Sequence, residues 1–421
     1  MGVPLVASVI ARKVPFHYGW IVVLAGTLTI FSCLGLGRFG LGMLLPSMGA
    51  DLNLSYTQMG AISTANFIGY LAAVGASPFL IKRLGESRTI VFGLFLVAAS
   101  MGVVSQGGSY FWIMVFYTLT GFGSGAANVP MMVLVPHWYA KTYRGRAAGF
   151  MVIGSGFAII FSGLFIPAVN EAIGPEGWRT GWATLGGISA VVALINWGLL
   201  RDRPEMLGLP LLGQAKEDAR AAASGAHRGD AAMSPKRAII HLGLLYMMFG
   251  ATYITYGTFI VTSMVEERGF TEAAAGQVWS WIGLFSLLSG PLFGTLSDKL
   301  GRRAGLLAVF SVQTCAYTLM ALHLDTPSLY LSIGLYGIAV WSIPSIMAAA
   351  VGDYVGPEKA ATAFSTITFF FAIGQTVGPA TAGAMADAMG TFDFSFAAIA
   401  VSGVVAILGT LALPKRRPAE D

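Results

Sequence analysis

The feature that most constrains this chain is a series of twelve apolar stretches, each long enough to cross a lipid bilayer. A spanning helix needs about 20 mostly apolar residues, and lipid offers its backbone polar groups no partners, so these stretches must be helical. Charged residues make up only 11% of the chain, against roughly 25% in soluble domains. This composition excludes a water-soluble globule, a disordered chain and a nucleic-acid-binding protein. The sequence predicts an all-α membrane protein whose surroundings are the lipid bilayer.

The stretches fall into two groups of six, separated by one long hydrophilic segment at 201–237. We predict an N-terminal six-helix half at 1–200, a cytoplasmic linker at 201–237 and a C-terminal six-helix half at 238–421. The predicted spans are 19–45, 56–80, 89–105, 110–135, 147–169, 181–200, 238–265, 273–296, 304–322, 328–351, 361–386 and 392–413.

The positions of the basic residues predict the orientation of these spans. Of the 25 Lys and Arg residues, 22 lie in the tails, the linker and one set of alternate loops. The opposite loops hold only Arg179 and Arg268, and Arg38 lies within a span. Because cytoplasmic loops carry the excess of Lys and Arg, both termini are predicted to be cytoplasmic. This arrangement also accounts for the net charge of +5 without an anionic macromolecular partner.

The two halves of the sequence resemble each other at an offset near 215 residues. PFLIKRLGESR aligns with GTLSDKLGRRAGL and places Gly85 over Gly301, while YRGRAAGF aligns with PEKAATAF and places Phe150 over Phe364. Two parallel repeats of this kind are typical of transporters that bind their substrate near the bilayer midplane, between the repeats.

The segment from Gly294 to Leu306, GTLSDKLGRRAGL, resembles the loop signature of the major facilitator superfamily, and the resemblance extends over the chain. It implies two pseudo-symmetric six-helix halves and a conformational gate at Asp298, Gly301, Arg302 and Arg303. It also implies a multi-pass protein of the bacterial inner membrane. The first-half copy has Lys82 where the signature carries an Asp, so we expect the gate to be asymmetric.

Several shorter motifs resemble the bacterial oxalate/formate-antiporter and monocarboxylate-transporter-like branch of that superfamily. Two differences from this branch weaken the inference that this chain has the same substrate. Tyr117 replaces an arginine of the fourth helix, and the segment 277–291 lacks the basic residue that the monocarboxylate transporters carry in the eighth helix. The motifs are Tyr18-Gly19-Trp20, the glycines at 121, 123 and 125, His137-Trp138-Tyr139, Arg144-Gly145 and RDRPE at 201–205.

Arg38 is the residue that most directly suggests a binding site. An arginine at membrane depth costs several kcal/mol, so we expect it to face a cavity or a partner. The sequence places no Asp or Glu at the same depth, so an incoming anion is the expected partner, and the planar guanidinium suits a carboxylate. The alternative is that the side chain snorkels from the outer part of the first span to the interface.

Further cavity candidates come from the spans that line the pathway in this superfamily. They combine amides with Tyr and Trp side chains, which offer an apolar body and a polar group to a small amphipathic acid. The alternative for each is helix packing or an interfacial position. The candidates are Asn66, Tyr70, Tyr117, Asn128, Tyr253, Tyr256, Trp279, Trp281, Trp341 and Gln375.

These observations predict a secondary active transporter that moves a small organic anion, with a carboxylate most favoured, by alternating access. We expect no cofactor, no metal and no enzymatic activity, because metal-binding and catalytic motifs are missing from the sequence. We also expect the protein to be a monomer. The remaining partner would be a proton or a counter-transported anion. Efflux of lipophilic or drug-like compounds is the alternative within transport, and a receptor built on a transporter fold is the alternative outside it.

Overall fold

The computed structural model describes residues 5–213, 235–355 and 359–414. Most of the predicted linker, at 214–234, and the basic tail at 415–421 lie outside the described residues. The described residues confirm the all-α membrane fold, with twelve transmembrane helices in two pseudo-symmetric groups of six. A short helix, Leu5–Lys13, precedes the first of them, and a single 3-10 turn, Pro204–Leu207, follows the sixth.

The membrane helices are counted here in chain order. Eleven are long and apolar enough to cross a bilayer by these two criteria alone, and the remaining one, Ala360–Met389, is 30 residues long. The twelve helices are Gly19–Leu52, Tyr56–Leu84, Glu86–Val104, Tyr110–Trp138, Lys141–Ile173, Gly177–Leu199, Pro235–Glu266, Glu272–Leu300, Arg302–Ala321, Thr326–Val355, Ala360–Met389 and Asp393–Leu411.

Several helices extend beyond the predicted spans, because hydropathy detects only the apolar part of a helix. The clearest case is the first helix, which we expected to end at Pro46. It continues through Pro46 to Leu52. A proline removes one intrahelical hydrogen bond. Membrane helices tolerate this loss because neighbouring helices can supply a partner for the freed carbonyl.

Two helices have irregular backbone at membrane depth. Phe31–Phe39 of the first helix is a π-helix, and the tenth helix is interrupted between Ala339 and Ser342. At this interruption the backbone N–H of Trp341 donates to Ser289 Oγ at 3.0 Å, so a side chain of the eighth helix replaces the missing backbone bond. Irregular backbone of this kind occurs at membrane depth where protein or a cavity surrounds it, and often at functional sites.

The described residues form two compact units. Unit 1 holds those of Met1–Leu41, Ala65–Ile159 and Val169–His227, and unit 2 holds those of Gly42–Thr64, Ile160–Ala168 and Arg228–Asp421. Unit 2 thus includes the last part of the first helix, the first part of the second and a short piece of the fifth. The two halves predicted at 1–200 and 238–421 have different boundaries from these units. The halves rest on the grouping and repeat of the sequence and stay a prediction.

Candidate functional site

Arg38 lies near the middle of the first helix, within its π-helical stretch. Its side chain is buried, with 9% of the residue exposed. A snorkelling side chain would be exposed at its charged end, so the structure favours a buried role for Arg38 over snorkelling.

The Arg38 guanidinium lies against two aromatic rings of the second helix. Its central carbon is 4.5 Å from the ring centroid of Phe67 and 4.7 Å from that of Tyr70. Nε and Nη2 are buried and have no hydrogen-bond partner among the residues that the structure describes. Each cation–π contact is worth about 2 kcal/mol when desolvated, whereas burying the charge costs several kcal/mol. The two rings offset a cost of this order but accept no N–H hydrogen bond from Nε or Nη2, so the guanidinium retains unpaired donors with which to bind an anion.

The backbone next to Arg38 is held by two of the other candidates. The Tyr117 hydroxyl donates to the Arg38 carbonyl at 3.2 Å. Asn66 Nδ2 donates to the carbonyls of Gly37 at 3.5 Å and Tyr117 at 3.3 Å. Asn66 Oδ1 is buried and has no partner within the described parts of the chain. These bonds hold the backbone carbonyls of Gly37 and of Arg38 itself. They therefore fix the position of the backbone from which the Arg38 side chain extends.

The remaining candidates of the first half join the same group. Asn128 Nδ2 donates to the Tyr70 hydroxyl at 2.7 Å, which fixes one of the two rings under the guanidinium. Unit 1 therefore brings together five predicted site residues, which we call the Arg38 group. Its members are Arg38, Asn66, Tyr70, Tyr117 and Asn128.

Glycines set the close helix packing around this group. A Cβ at Gly35 would lie 2.1 Å from the Ala158 Cβ, and a Cβ at Gly121 would lie 1.9 Å from the Asn66 carbonyl oxygen. Real side chains do not approach so closely, so only glycine fits at these two positions. Because of this close packing, Asn66 reaches backbone carbonyls of both the first and the fourth helices.

Two other arginines, the buried Arg201 and the half-buried Arg268, show how a guanidinium is used when its role is structural. Arg201 donates to the carbonyls at the end of the sixth helix, among them Gly198 at 3.0 Å, and Arg268 donates to Met320 at 3.0 Å and Leu324 at 3.3 Å. Burial lowers the pKa of both guanidinium groups below the usual arginine value. Arg38 makes no comparable bond to a described carbonyl through Nη2, whereas Nη2 of both other arginines donates to a carbonyl.

A second set of candidates meets in unit 2. Gln375 Nε2 donates to the Tyr253 hydroxyl, and the Trp341 ring meets the Tyr253 ring edge-on, with centroids 6.1 Å apart. The Tyr253 ring also stacks on Phe249 at 4.8 Å and Phe371 at 5.8 Å. Tyr253, Trp341 and Gln375, together with Phe249 and Phe371, form an aromatic and amide surface that we call the Tyr253 group.

The structure does not bring Tyr256, Trp279 and Trp281 to the Tyr253 group. The Tyr256 ring stacks on Tyr336 with centroids 4.2 Å apart, and the Trp279 Nε1–H donates to Ser162 Oγ at 3.3 Å. Trp281 is 39% exposed and lies outside the packed interior. Residues two apart on a helix point in directions about 200° apart, so Trp279 and Trp281 face different surroundings.

The predicted gate residues cluster at the junction of the eighth and ninth helices. Arg302 Nη1 donates to Asp298 Oδ1, and Arg302 Nε donates to Asp353 Oδ2 at 2.8 Å. Gly301 joins the two helices with φ +91°, a conformation that favours glycine. Of the two neighbouring arginines, Arg302 makes the contact with Asp298, and Arg303 Nε is buried without a partner among the described atoms.

Sequence reasoning missed a contact at the ends of the helices opposite the basic loops. Asp387 of the eleventh helix accepts hydrogen bonds from the backbone N–H groups of Tyr56, at 2.9 Å, and Thr57, at 2.8 Å. These two amides begin the second helix, so the carboxylate lies at the positive end of that helix. The helices also approach closely nearby, because a Cβ at Gly60 would lie 2.2 Å from the Pro379 carbonyl oxygen. We call these residues the Asp387 contact.

The signal that could have revealed this contact is weak. Gly60 and Gly383 are small residues in the second and eleventh spans, and small residues mark close helix packing. A Cβ at Gly383 would lie 2.2 Å from the Tyr56 carbonyl oxygen.

As for metals, no group of three or more His, Cys, Asp and Glu side chains in the described residues could hold an ion.

Known proteins resemble this chain over nearly its full length. A "Putative metabolite transport protein" of Haemophilus influenzae is 26% identical over 94% of this chain and 96% of its own length. A "Probable sulfoacetate transporter" of Cupriavidus necator is 21% identical over 89% of this chain and 88% of its own length.

A solved structure shows the same fold. It is a bacterial homologue of the human lysosomal transporter Spinster in an inward-facing, occupied conformation. It superposes with a TM-score of 0.74 at 17% identity and covers 94% of this chain and 96% of its own. The sequence family described as "Uncharacterised MFS-type transporter YbfB" matches residues 30–413. The chain therefore belongs to this family of MFS-type membrane transporters.

Proposed function

We propose that this protein is a secondary transporter whose substrate is a small organic anion bound through a carboxylate or a similar acid group. The observation that carries the proposal is the buried Arg38 guanidinium, whose Nε and Nη2 lack partners among the described residues. Sulfoacetate, which appears in the name of one relative, is an organic anion, and this similarity supports the same substrate class here.

The geometry of the Arg38 group favours a flat acid group over a point charge. A guanidinium presents its N–H donors in a rigid plane and binds carboxylates in a two-pronged manner. Phe67 and Tyr70 lie over the Arg38 guanidinium, so the plane is already oriented before a ligand arrives. Preorganisation of this kind reduces the entropy that binding would otherwise lose.

Alternating access and exchange of one anion for another form the mechanistic part of the proposal. Proton-driven transporters usually pass protons through an Asp, Glu or His in the membrane, and the sequence places none of these at the depth of Arg38. Reorientation with an empty site would leave Arg38 unpaired, which costs several kcal/mol. We therefore propose that the protein exchanges anions. We also propose that it is a monomer in a bacterial inner membrane, with both termini on the cytoplasmic side.

Efflux of lipophilic compounds is the second candidate, and the Tyr253 group favours it. Phe249, Tyr253 and Phe371 stack with nearly parallel rings, at angles of 10° to 14°, and aromatic surfaces of this kind bind flat apolar molecules and organic cations. This candidate gives Arg38 no partner, so we rank it below anion transport.

A thermal-shift screen of the purified protein separates the two candidates. The ligands are mono- and dicarboxylates, sugar acids, sulfonated acids and lipophilic cations, each tested at the same ionic strength. A ligand at 100 times its Kd stabilises the folded state by about 2.7 kcal/mol, so binding should raise the melting temperature measurably. Anion transport predicts a rise with at least one organic acid and none with the cations. The reverse pattern would overturn the proposal in favour of efflux.

A further inference from the structure

A groove between the seventh and twelfth helices is separate from both candidate groups. It encloses a cavity of about 520 Å³. Ile240, Leu244 and Met248 line it from the seventh helix, and Val405 and Gly409 line it from the twelfth. A Cβ at Gly409 would lie 3.0 Å from Leu245 Cδ2, so the two walls of the groove approach closely at this position.

The groove is apolar along its length and basic at one end. Ile240, Leu244 and Val405 are 42–55% exposed, so this wall faces the surroundings of the protein, which at this depth are lipid. Lys236 and Arg237 line the end of the groove and are both exposed. Its described lining contains no Asp or Glu that could neutralise them.

One further feature places positive charge at this end, and a hydrogen bond joins the two walls of the groove. The seventh helix begins at Pro235, so its positive dipole end lies beside Lys236 and Arg237, where it favours anions and phosphate groups. The His241 ring donates from Nε2 to the Gly409 carbonyl at 2.8 Å, which ties the two walls together. Lys236 and Arg237 are among the basic residues that the sequence assigns to the cytoplasmic side.

We propose that this groove binds an anionic phospholipid of the cytoplasmic leaflet. The phosphate of the headgroup would bind Lys236 and Arg237, and an acyl chain would fill the apolar cavity beside Gly409. Basic pockets between membrane helices on the cytoplasmic side suit anionic headgroups, and each Lys or Arg near an anionic membrane surface contributes about 1 kcal/mol. A free phosphate ion would use the basic end alone and leave the apolar cavity unused.

Native mass spectrometry of the full-length protein tests this proposal by titration with phosphatidylglycerol, phosphatidylcholine and inorganic phosphate. We expect tighter binding of phosphatidylglycerol than of phosphatidylcholine. The double substitution Lys236→Gln/Arg237→Gln should weaken phosphatidylglycerol binding about 25- to 30-fold, which corresponds to two basic residues at about 1 kcal/mol each. The charge-matched control is Lys82→Gln/Arg83→Gln, an exposed pair at the end of the second helix, which should change binding less than twofold.

A second variant tests the apolar part of the groove without changing its charge. Val405→Trp should fill the cavity and weaken phosphatidylglycerol binding while Lys236 and Arg237 remain. Equal affinity for the two lipids, or an unchanged affinity in the Lys236→Gln/Arg237→Gln protein, would overturn the proposal. So would unchanged binding in Val405→Trp, or displacement of phosphatidylglycerol by millimolar inorganic phosphate, which would indicate a phosphate site.

Discussion

Replacing Asp387 by Asn should loosen the contact that holds the second and eleventh helices together in unit 2. The carboxylate accepts one backbone N–H from Tyr56 and one from Thr57, at 2.9 and 2.8 Å. Asparagine keeps one acceptor oxygen, loses the second and carries no charge. The Asp387→Asn protein should therefore spend more time with these helix ends apart.

The size of this effect follows from the two bonds. A hydrogen bond to a charged group is worth about 1.5–3 kcal/mol, and a carboxylate at a helix N-terminus adds about 0.3–1 kcal/mol. Asp387 is exposed, so screening by water and salt reduces the electrostatic part. We therefore use about 1.5 kcal/mol, the lower end for one lost hydrogen bond, which corresponds to about a tenfold change in the ratio of closed to open forms.

Cysteine labelling measures this ratio. Thr258 of the seventh helix is 4% exposed, and its hydroxyl lies 3.2 Å from that of Ser63 of the second helix. A cysteine at position 258 therefore becomes accessible when the second helix moves away, which is the movement that the Asp387 contact opposes. In the Thr258→Cys protein, with Cys33 and Cys315 replaced by Ala, Asp387→Asn should speed reaction with a polar maleimide about tenfold. Asp325→Asn is the matched control, because Asp325 caps its own helix through the N–H of Ser328.

Two results would refute the reasoning about Asp387. One is a labelling rate in Asp387→Asn equal to that of the parent, which would mean that the two hydrogen bonds do not hold the helices. The other is an equal acceleration in Asp325→Asn, which would show that any loss of a helix cap increases labelling.

Three further predictions follow from the gate, the helix packing and the unpaired arginine. Asp298→Asn removes a partly exposed ion pair with Arg302, so the free energy of unfolding should change by less than about 1 kcal/mol. Flux in reconstituted vesicles should fall several-fold while ligand affinity is retained. Unchanged flux would contradict this prediction. Gly60→Ala should raise labelling of the same cysteine, since its Cβ would lie 2.2 Å from the Pro379 carbonyl, whereas Gly75→Ala, with no atom within 4 Å, should not. Vesicles preloaded with unlabelled substrate should take up labelled substrate much faster than empty vesicles at equal pH; equal rates that follow an imposed pH gradient would indicate proton-linked transport instead.

Much of the Arg38 group was accessible from sequence because its signals are local and costly. An arginine within a span is rare, and Asn66 and Tyr70 lie four residues apart, so they share one helix face. Hydropathy did not predict the π-helix at Phe31–Phe39 or the interruption before Ser342, because it averages over a window and is blind to hydrogen-bond register. Both features depend on contacts with neighbouring helices.

The Asp387 contact shows why other parts were not predictable. Asp387 and Tyr56 are 331 residues apart, and no local pattern relates a carboxylate at the end of one span to the first amides of another. Trp281 illustrates a different limit. It is an aromatic residue in a pathway helix, yet its face of the helix is exposed, and residue type alone does not distinguish that face from the one bearing Trp279.

The affinity of Arg38 variants for the organic acid found in the thermal-shift screen tests the proposed function most directly. In an equilibrium binding measurement, Arg38→Lys keeps the charge but loses the two-pronged geometry, so we expect a loss of about 1.5–3 kcal/mol, or roughly 10- to 150-fold. Arg38→Ala should weaken binding further while the protein stays folded. Arg83→Lys is the control, because Arg83 also lies over an aromatic ring, Phe79 at 4.4 Å, but at an exposed helix end. Equal affinity in the parent, Arg38→Lys and Arg38→Ala proteins would contradict the assignment of Arg38 as the anion-binding residue.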